Sequence, residues 1–265
     1  MSDELFDDFT ARQLDEQLWQ ADCRQAGTNV QAAADSSCVQ LTFPGGATVN
    51  SPRGAAEIGS RASFSYGRFS TRMKAARCEP EAETVSSFYT YWHGQDPRGN
   101  NHEIDVEILG SEPEIIYLTV WTHADHQSGR QRRITRVVSL RDGSYKQSTL
   151  SGEGFIQREH PLAPPAFPIA GRYDFSFADF DASEAFYTYG FEWREQSVRY
   201  TIEIGGRSYL LWDLREPSVI PSQPAPVRAN LWWSDVHWNR PAAATPPAKP
   251  VRHQLDFIRV EPLDR

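Results

Sequence analysis

Apolar and polar residues alternate along this chain in short runs. The runs fall at 38–43, 66–74, 85–92, 103–109, 115–122, 186–193, 197–204, 228–233 and 254–260. They are rich in Val, Ile, Phe, Tyr, Trp and Thr, and Gly, Pro, Asn and Asp separate them. Runs of this length and composition predict an all-β sandwich. Many show the period of two that puts successive side chains on opposite faces of a strand. Within 186–193, Phe186 and Phe191 differ by an odd step and are predicted on opposite faces. Only 9–19 has a pattern suited to a turn or two of helix, with Thr10 as its cap. The rhythm breaks at 143–173, which is polar and then proline-rich (HPLAPPAFP). This predicts a long loop insertion at about 130–175 within a single unit spanning 1–265. A second proline-rich loop is expected at 241–250.

Composition narrows the function. A chain of 265 residues can bury a core without a disulfide or metal. Its formal charge of −8 excludes the counterion release that drives nucleic-acid binding. No run approaches the roughly 18 apolar residues of a membrane span. The acidic start, MSDELFDDF, has no apolar stretch of the kind a signal peptide needs. The 8 Trp and 10 Tyr suit either core packing or a sugar-binding cleft, where flat rings stack on pyranose faces. None of the 3 cysteines forms a CxxC pair, which argues against a zinc or thioredoxin-type site. Their odd number leaves at least one thiol free, and a Cys23–Cys38 bridge stays open.

Chemistry concentrates in one run, His102-Glu103-Ile104-Asp105-Val106-Glu107-Ile108-Leu109-Gly110. As a strand it puts Ile104, Val106 and Ile108 on one face and Glu103, Asp105 and Glu107 on the other. Neighbouring carboxylates on one face lie about 7 Å apart. Each such pair repels by roughly 2.4 kcal/mol at an effective dielectric of 20. Three in a row are either a solvated outer face or a catalytic set. Retaining glycosidases use two carboxyl groups about 5–5.5 Å apart. The Glu103 and Glu107 backbones are about 13 Å apart by strand rise, a gap that two leaning side chains largely close. Asp105 between them is placed to hydrogen-bond one and help set its charge state. Coupling would leave one carboxyl protonated as the acid and the other ionised.

The run resembles the active-site strand of glycoside hydrolase family 16, whose pattern is E-aliphatic-D-aliphatic-E. It lacks the extra residue found before the second Glu in the laminarinase branch. It is therefore similar to the branch of lichenases (β-1,3-1,4-glucanases) and xyloglucan transglycosylases. The likeness extends along nearly the whole chain. Asp7-Asp8-Phe9 with Leu14-Asp15 and Trp19 resembles the entry strand. FSYGRF and Arg72-Met73-Lys74 resemble the YGxF…RxK strand, VSSFYTY the strand before the catalytic one, and Phe180-Asp181-Ala182 with YTYGFEW the FDA…HTYAFDW segment. Asn230-Leu231-Trp232 resembles the NLW motif and LDFIRV the closing strand. The resemblance implies a β-jelly-roll sandwich of two curved antiparallel sheets with a concave substrate cleft. It implies Glu103 as nucleophile, Asp105 as assistant and Glu107 as acid/base.

By the same resemblance Tyr89, Tyr91, Trp121, Trp232 and Trp238 are cleft aromatics, and Arg72 and Asn230 are polar sugar contacts. Thr119 stands where lichenases carry Asn, Ser70 where they carry Glu, and Trp233 where Asn follows the NLW motif. These departures bear on linkage preference. The 232–238 spacing is nearer the transglycosylase pattern. Asp256 matches a family position that holds a structural Ca²⁺, although the sequence supplies no further oxygen ligand. The basic run 129–137 reads as a solvated face or as a contact for anionic substituents. His123 and His126 suggest a metal only weakly, lacking acidic or thiolate support.

The expected protein is an endo-acting retaining β-glucanase that needs no cofactor for catalysis. A polysaccharide is its partner, and it is expected as a monomer outside the cell. Two alternatives stand beside this. One is a polysaccharide endo-transglycosylase using the same carboxyls. The other is a non-catalytic carbohydrate-binding protein, against which three mutually repelling acids argue.

Overall fold

The computed structural model of the protein describes residues 4–11, 13–23, 28–32, 38–46, 55–94, 101–125, 130–152 and 169–263. The strands in chain order are β1 (Leu5–Asp7), β2 (Trp19–Cys23), β3 (Asn29–Ala32), β4 (Val39–Phe43), β5 (Ala55–Ser60), β6 (Gly67–Lys74), β7 (Thr84–His93), β8 (Asn101–Leu109) and β9 (Ile115–Asp125). They continue with β10 (Arg130–Ser139), β11 (Ser144–Gly152), β12 (Gly171–Arg172), β13 (Tyr187–Arg194), β14 (Ser197–Ile204), β15 (Arg207–Leu214), β16 (Val227–Trp233) and β17 (Val251–Glu261). They form two antiparallel sheets. One has the order β15-β14-β13-β6-β17-β4-β3, with β1 also on β17; the other has the order β12-β11-β10-β9-β8-β7-β16-β5-β2.

One hydrophobic cluster fills the space between the sheets. Strand alternation builds it: Ile104, Val106 and Ile108 of β8 are all 1% exposed or less. From the facing sheet, Phe191 of β13 stacks on Phe69 of β6 at 4.9 Å and meets Phe88 of β7 at 5.7 Å. Phe186 sits on the opposite side of its chain segment from Phe191, under the Arg72 guanidinium, as the odd step requires. A polar tie also crosses the core. The Tyr200 hydroxyl of β14 donates to the Thr119 carbonyl of β9 at 2.8 Å, behind the centre of the larger sheet.

All nine expected strands are present, and the two-layer antiparallel architecture is as expected. Two expectations are corrected. The segment 9–19 is not helical, and among the described residues the only helical turn is the 3-10 turn Pro217–Val219. Asp7 Oδ1 accepts the Phe9 N–H at 2.8 Å, and Phe9 takes φ +52°. Phe9 then packs on Trp19 at 5.7 Å. A local side-chain bond and one buried ring thus replace the helical ladder.

The insertion is also smaller than expected at 130–175. Residues 130–139 and 144–152 are β10 and β11, which extend the sheet beyond β9. The proline-rich stretch 153–168 lies outside the described residues. After it, Tyr173, Phe175 and Phe177 alternate inward and pack on Tyr209 and Tyr145. The Tyr173 hydroxyl donates to the Leu211 carbonyl, tying this segment to β15 of the other sheet. Cys23, Cys38 and Cys78 are free thiols, so Cys23 and Cys38 are not bridged.

Replacing Phe191 by alanine empties the meeting point of the two sheets. The expected loss is about 3–5 kcal/mol of unfolding free energy, measured by urea denaturation with tryptophan fluorescence.

Candidate active site

Strand β8 lies near the middle of the nine-stranded sheet, paired with β7 and β9. Neither pairing shifts register between Glu103 and Glu107. Because opposite residues share a face, the register defines three rows on the face turned away from the core. Glu103 lies between Tyr91 and Trp121, and Arg133 follows Trp121. Asp105 lies between Tyr89 and Thr119; Thr135 follows Thr119, and Arg228 follows Tyr89. Glu107 lies between Ser87 and Tyr117; Asn230 and then Glu57 follow Ser87.

The three carboxyls sit at different depths. Asp105 is 3% exposed, whereas Glu103 and Glu107 are partly open to solvent. Asn101 Nδ2 donates to Glu103 Oε2 at 2.5 Å. Asp105 hydrogen-bonds Glu103, and the Trp121 indole donates to Asp105. All three carboxyls are held above the usual carboxylate range. Burial is the main cause for Glu103, which is pushed up to about 7. Bonds from Asn101 and Asp105 and the charge of Arg228 pull it down, while Glu57 pushes it up. Burial and then the charge of Glu103 push Glu107 up to about 8, against the pull of Arg133 and Ser87. Burial and the charges of both flanking glutamates raise Asp105 further. The strip titrates as a unit. Near neutrality it shares protons among its three carboxyls. A carboxylate and a carboxylic acid therefore share one face, the combination that acid-assisted displacement requires.

Other expected residues join this strip. Tyr91 borders Glu103 and stacks with exposed His93 at 6.1 Å and 12°. Trp121 is partly open and carries the Arg133 guanidinium 5.0 Å from its ring centre. The Tyr89 hydroxyl donates to Glu57 Oε2 at 2.6 Å and accepts from Asn230 Nδ2 at 3.1 Å. Thr119 is fully buried beside Asp105, sharing a 3.2 Å hydroxyl bond with Thr135. Trp232 is partly open at the end of the face, 5.6 Å from Trp238.

Three expectations need correction. Trp238 is 2% exposed, with its ring edge-on to Tyr117 and its indole bonded to Ser234. It supports Trp232 from below and offers no face to a ligand. Arg72 lies on the exposed face of the other sheet, paired with Asp256 at 2.5 Å. Its place in β6 puts the whole core between it and Glu103. Asp256 sits in the β-bulge of β17, and its oxygen is taken by Arg72. No group of three His, Cys, Asp or Glu gathers there among the described residues. Ser70 is likewise on the far sheet, and the glutamate on the site face is Glu57 of β5. His126 and the His123 side chain lie outside the described residues, as does part of the basic run 129–137.

Sequence reasoning missed Glu57, Arg228, Arg133 and Asn101. Strand β5 reads Ala-Ala-Glu-Ile-Gly-Ser, too poor in branched and aromatic residues to signal a strand. Arg228 and Arg133 carried a findable signal, since they share parity with Asn230 and with Thr135 on their strands.

Residues 18–143 match the model of Glycosyl hydrolases family 16. Over this segment the chain is similar to that family. The chain is also 29% identical over 183 residues to a beta-glucanase of Acetivibrio thermocellus, covering 68% of this chain and 38% of that protein. It therefore spans well under two thirds of that relative. Among solved structures it resembles a β-1,3-1,4-glucanase (lichenase) derived from a mouse hindgut metagenome, with TM-score 0.61, 20% identity, and coverage of 98% and 99% of the two chains. It also resembles the Crh5 transglycosylase, with TM-score 0.59, 16% identity, and coverage of 99% and 85%. These likenesses show the fold, a β-jelly roll.

The raised carboxyls link stability to pH. A glutamate in an unfolded chain ionises near pH 4.3, whereas Glu107 in the folded chain holds its proton up to about 8. Its contribution is fully favourable below the unfolded value and is lost as pH rises through this window. Glutamine keeps the shape without the charge. The Glu107→Gln variant should melt near the wild type at pH 4 and a few degrees above it at pH 8, by differential scanning calorimetry.

Proposed function

We propose that this protein is an endo-acting retaining glycoside hydrolase of a β-linked polysaccharide, with mixed-linkage β-1,3-1,4-glucan as its substrate. The observation that carries this reading is the unbroken strip Glu103–Asp105–Glu107, with both glutamates partly open and Asp105 beneath them. The family match over 18–143 and the beta-glucanase relative support the substrate class. The unshifted register of β8 supports the lichenase and transglycosylase branch.

In the first step, a Glu103 carboxylate oxygen attacks the anomeric carbon while Glu107 gives its proton to the departing glycosidic oxygen. The bond between them breaks, leaving a glycosyl ester on Glu103. In the second step, water attacks the same carbon and yields a proton to Glu107, and Glu103 leaves as carboxylate. Two inversions give net retention. Asp105, bonded to Glu103 and to the Trp121 indole, holds the nucleophile in line. The open rings of Tyr91, Trp121 and Trp232 are suited to stack on sugar faces, and Asn230 to bind a hydroxyl. The two carboxyls supply all the chemistry, so the reaction calls for no cofactor. Residues 1–265 act as one catalytic unit and as a monomer. A polymeric substrate places the enzyme outside the cell.

A second reading, endo-transglycosylation, is favoured by the fold shared with the Crh5 transglycosylase. There a sugar hydroxyl replaces the water of the second step.

The test is reducing-end release from barley β-glucan, lichenan, laminarin, xyloglucan and carboxymethylcellulose, with a labelled oligosaccharide present as acceptor. Hydrolysis of mixed-linkage glucan is expected, with the β-anomer appearing first by proton NMR. Glu103→Gln should abolish release, and Glu107→Gln should slow it about 10²–10⁴-fold. Label entering longer chains would establish transfer instead, and an α-anomer first would overturn retention. Tyr91→Ala should raise KM more than it lowers kcat.

A further inference from the structure

A second apolar cluster lies outside the inter-sheet core, on the site face beside Glu107. Val85, Leu109, Ile115, Tyr117 and Val137 form its floor, and Trp238 covers them. Tyr117 pairs with Glu107, and Val85 lies between Leu109 and Trp232. The cluster therefore adjoins both the carboxyl strip and the open tryptophan. Trp238 comes from an excursion at 234–245 whose two ends are stitched to one segment. The Ser234 N–H donates to the Glu83 carbonyl at 3.0 Å, and the Thr245 N–H to the Glu81 carbonyl at 2.9 Å. The Glu83 side chain, fully buried, adds a further tie. Its Oε2 accepts the Ser111 hydroxyl at 2.9 Å and its Oε1 the Ser111 N–H at 3.3 Å. His237 Nδ1 lies 3.3 Å from Oε2, and the Trp238 backbone N–H donates to the same carboxyl. Arg240 sets the tautomer of His237. Its Nη2 is 3.0 Å from Nε2, against 3.5 Å from Nδ1, and it also donates to the Pro80 carbonyl. A guanidinium only donates, so Nε2 accepts and Nδ1 carries the proton offered to Glu83.

We propose that Glu83 and His237 are positioning residues that clamp the 234–245 excursion to Ser111 at the end of β8, so that Trp238 holds the Trp232 ring in place as a sugar-stacking platform. The proposal rests on Trp232 as a sugar contact, the reading given above. A buried carboxyl is tolerated only while its donors stay in reach. Ser111, His237 and the Trp238 backbone are those donors, so the excursion cannot lift without stranding Glu83. Trp238 is in turn held on two sides. Its indole donates to Ser234 Oγ at 3.2 Å, and its ring meets Tyr117 edge-on at 5.2 Å and 80°. The Trp232 ring lies 5.6 Å from it at 59° and is the partly open member of the pair. At 2% exposure Trp238 acts on a ligand only through Trp232. A ring already fixed in its bound orientation loses less side-chain freedom when a sugar stacks on it. The clamp therefore serves affinity at one end of the cleft and takes no part in the bond-breaking step.

Glu83→Ala removes the side-chain bonds of the clamp. It should raise KM for mixed-linkage glucan about tenfold and leave kcat within about twofold. Glu83→Gln keeps an acceptor of the same shape and should restore most of the wild-type KM. In a Trp232→Ala background, Glu83→Ala should add no further rise in KM, because the ring it acts through is gone. Ser234→Ala takes only the indole partner of Trp238. Its rise of about two- to threefold should likewise vanish in Trp232→Ala, and it carries the test if Glu83→Ala does not fold. A second arm needs no substrate: fluorine-19 NMR of protein labelled with 5-fluorotryptophan, with signals assigned by Trp232→Phe and Trp238→Phe. Both signals should shift or broaden in Glu83→Ala and Ser234→Ala, and return toward wild type in Glu83→Gln. An unmoved Trp232 signal, or the same rise in KM with and without the Trp232 ring, would overturn the proposal and leave the clamp a structural brace. Moved signals in a protein that hydrolyses no glucan would keep the clamp on Trp232 and sink the enzymatic reading.

Discussion

Three carboxyl groups side by side on one strand repel one another, and each loses solvation when the face is built up around it. The molecule holds them there because the other side of the same strand is anchored. Ile104, Val106 and Ile108 are sealed in the inter-sheet core, where Phe88 and Phe191 meet. Sliding β8 by one residue would expose those three and bury the acids in hydrocarbon. The register that fixes the core therefore also fixes the site, and the repulsion cannot relax by moving backbone.

What remains is to manage the repulsion locally. Depth separates the roles: Asp105 is sunk between its neighbours, while Glu103 and Glu107 reach the surface. Hydrogen bonds from Asn101 and Asp105 favour the ionised form of Glu103. Burial and the charge of Glu103 favour the protonated form of Glu107, against the charge of Arg133 and a bond from Ser87. The same residue type thus meets two different surroundings four positions apart. The behaviour follows from environment, since nothing in the two side chains differs.

The larger sheet provides this environment by width. Arg133 is two strands from β8 on one side, and Arg228 two strands away on the other. The extra strands β10 and β11, read as part of a loop from the sequence, are what carry Arg133 to the site. The polar and basic composition of 130–152 hid them, because strands near a sheet edge lack the strong alternation of central ones. Trp238 shows the opposite error. Tryptophan composition suggested a stacking platform, but Tyr117 and Trp232 enclose the ring on both sides.

Sequence alone determined what depends on period and local spacing. Nine strands, the face shared by Glu103, Asp105 and Glu107, and the face shared by Tyr89 and Tyr91 all follow from side chains alternating along an extended backbone. Only tertiary structure decided which strands are neighbours. Arg72 and Glu57 sit on strands only one apart in the chain, yet they belong to opposite sheets. Asp256 has the residue type of a calcium ligand, yet Arg72 is its partner. Gly59 is an unremarkable glycine until β16 lays Arg228 across it. Each of these depends on a contact between residues far apart in sequence, and alternation along one strand carries no information about the strand beside it.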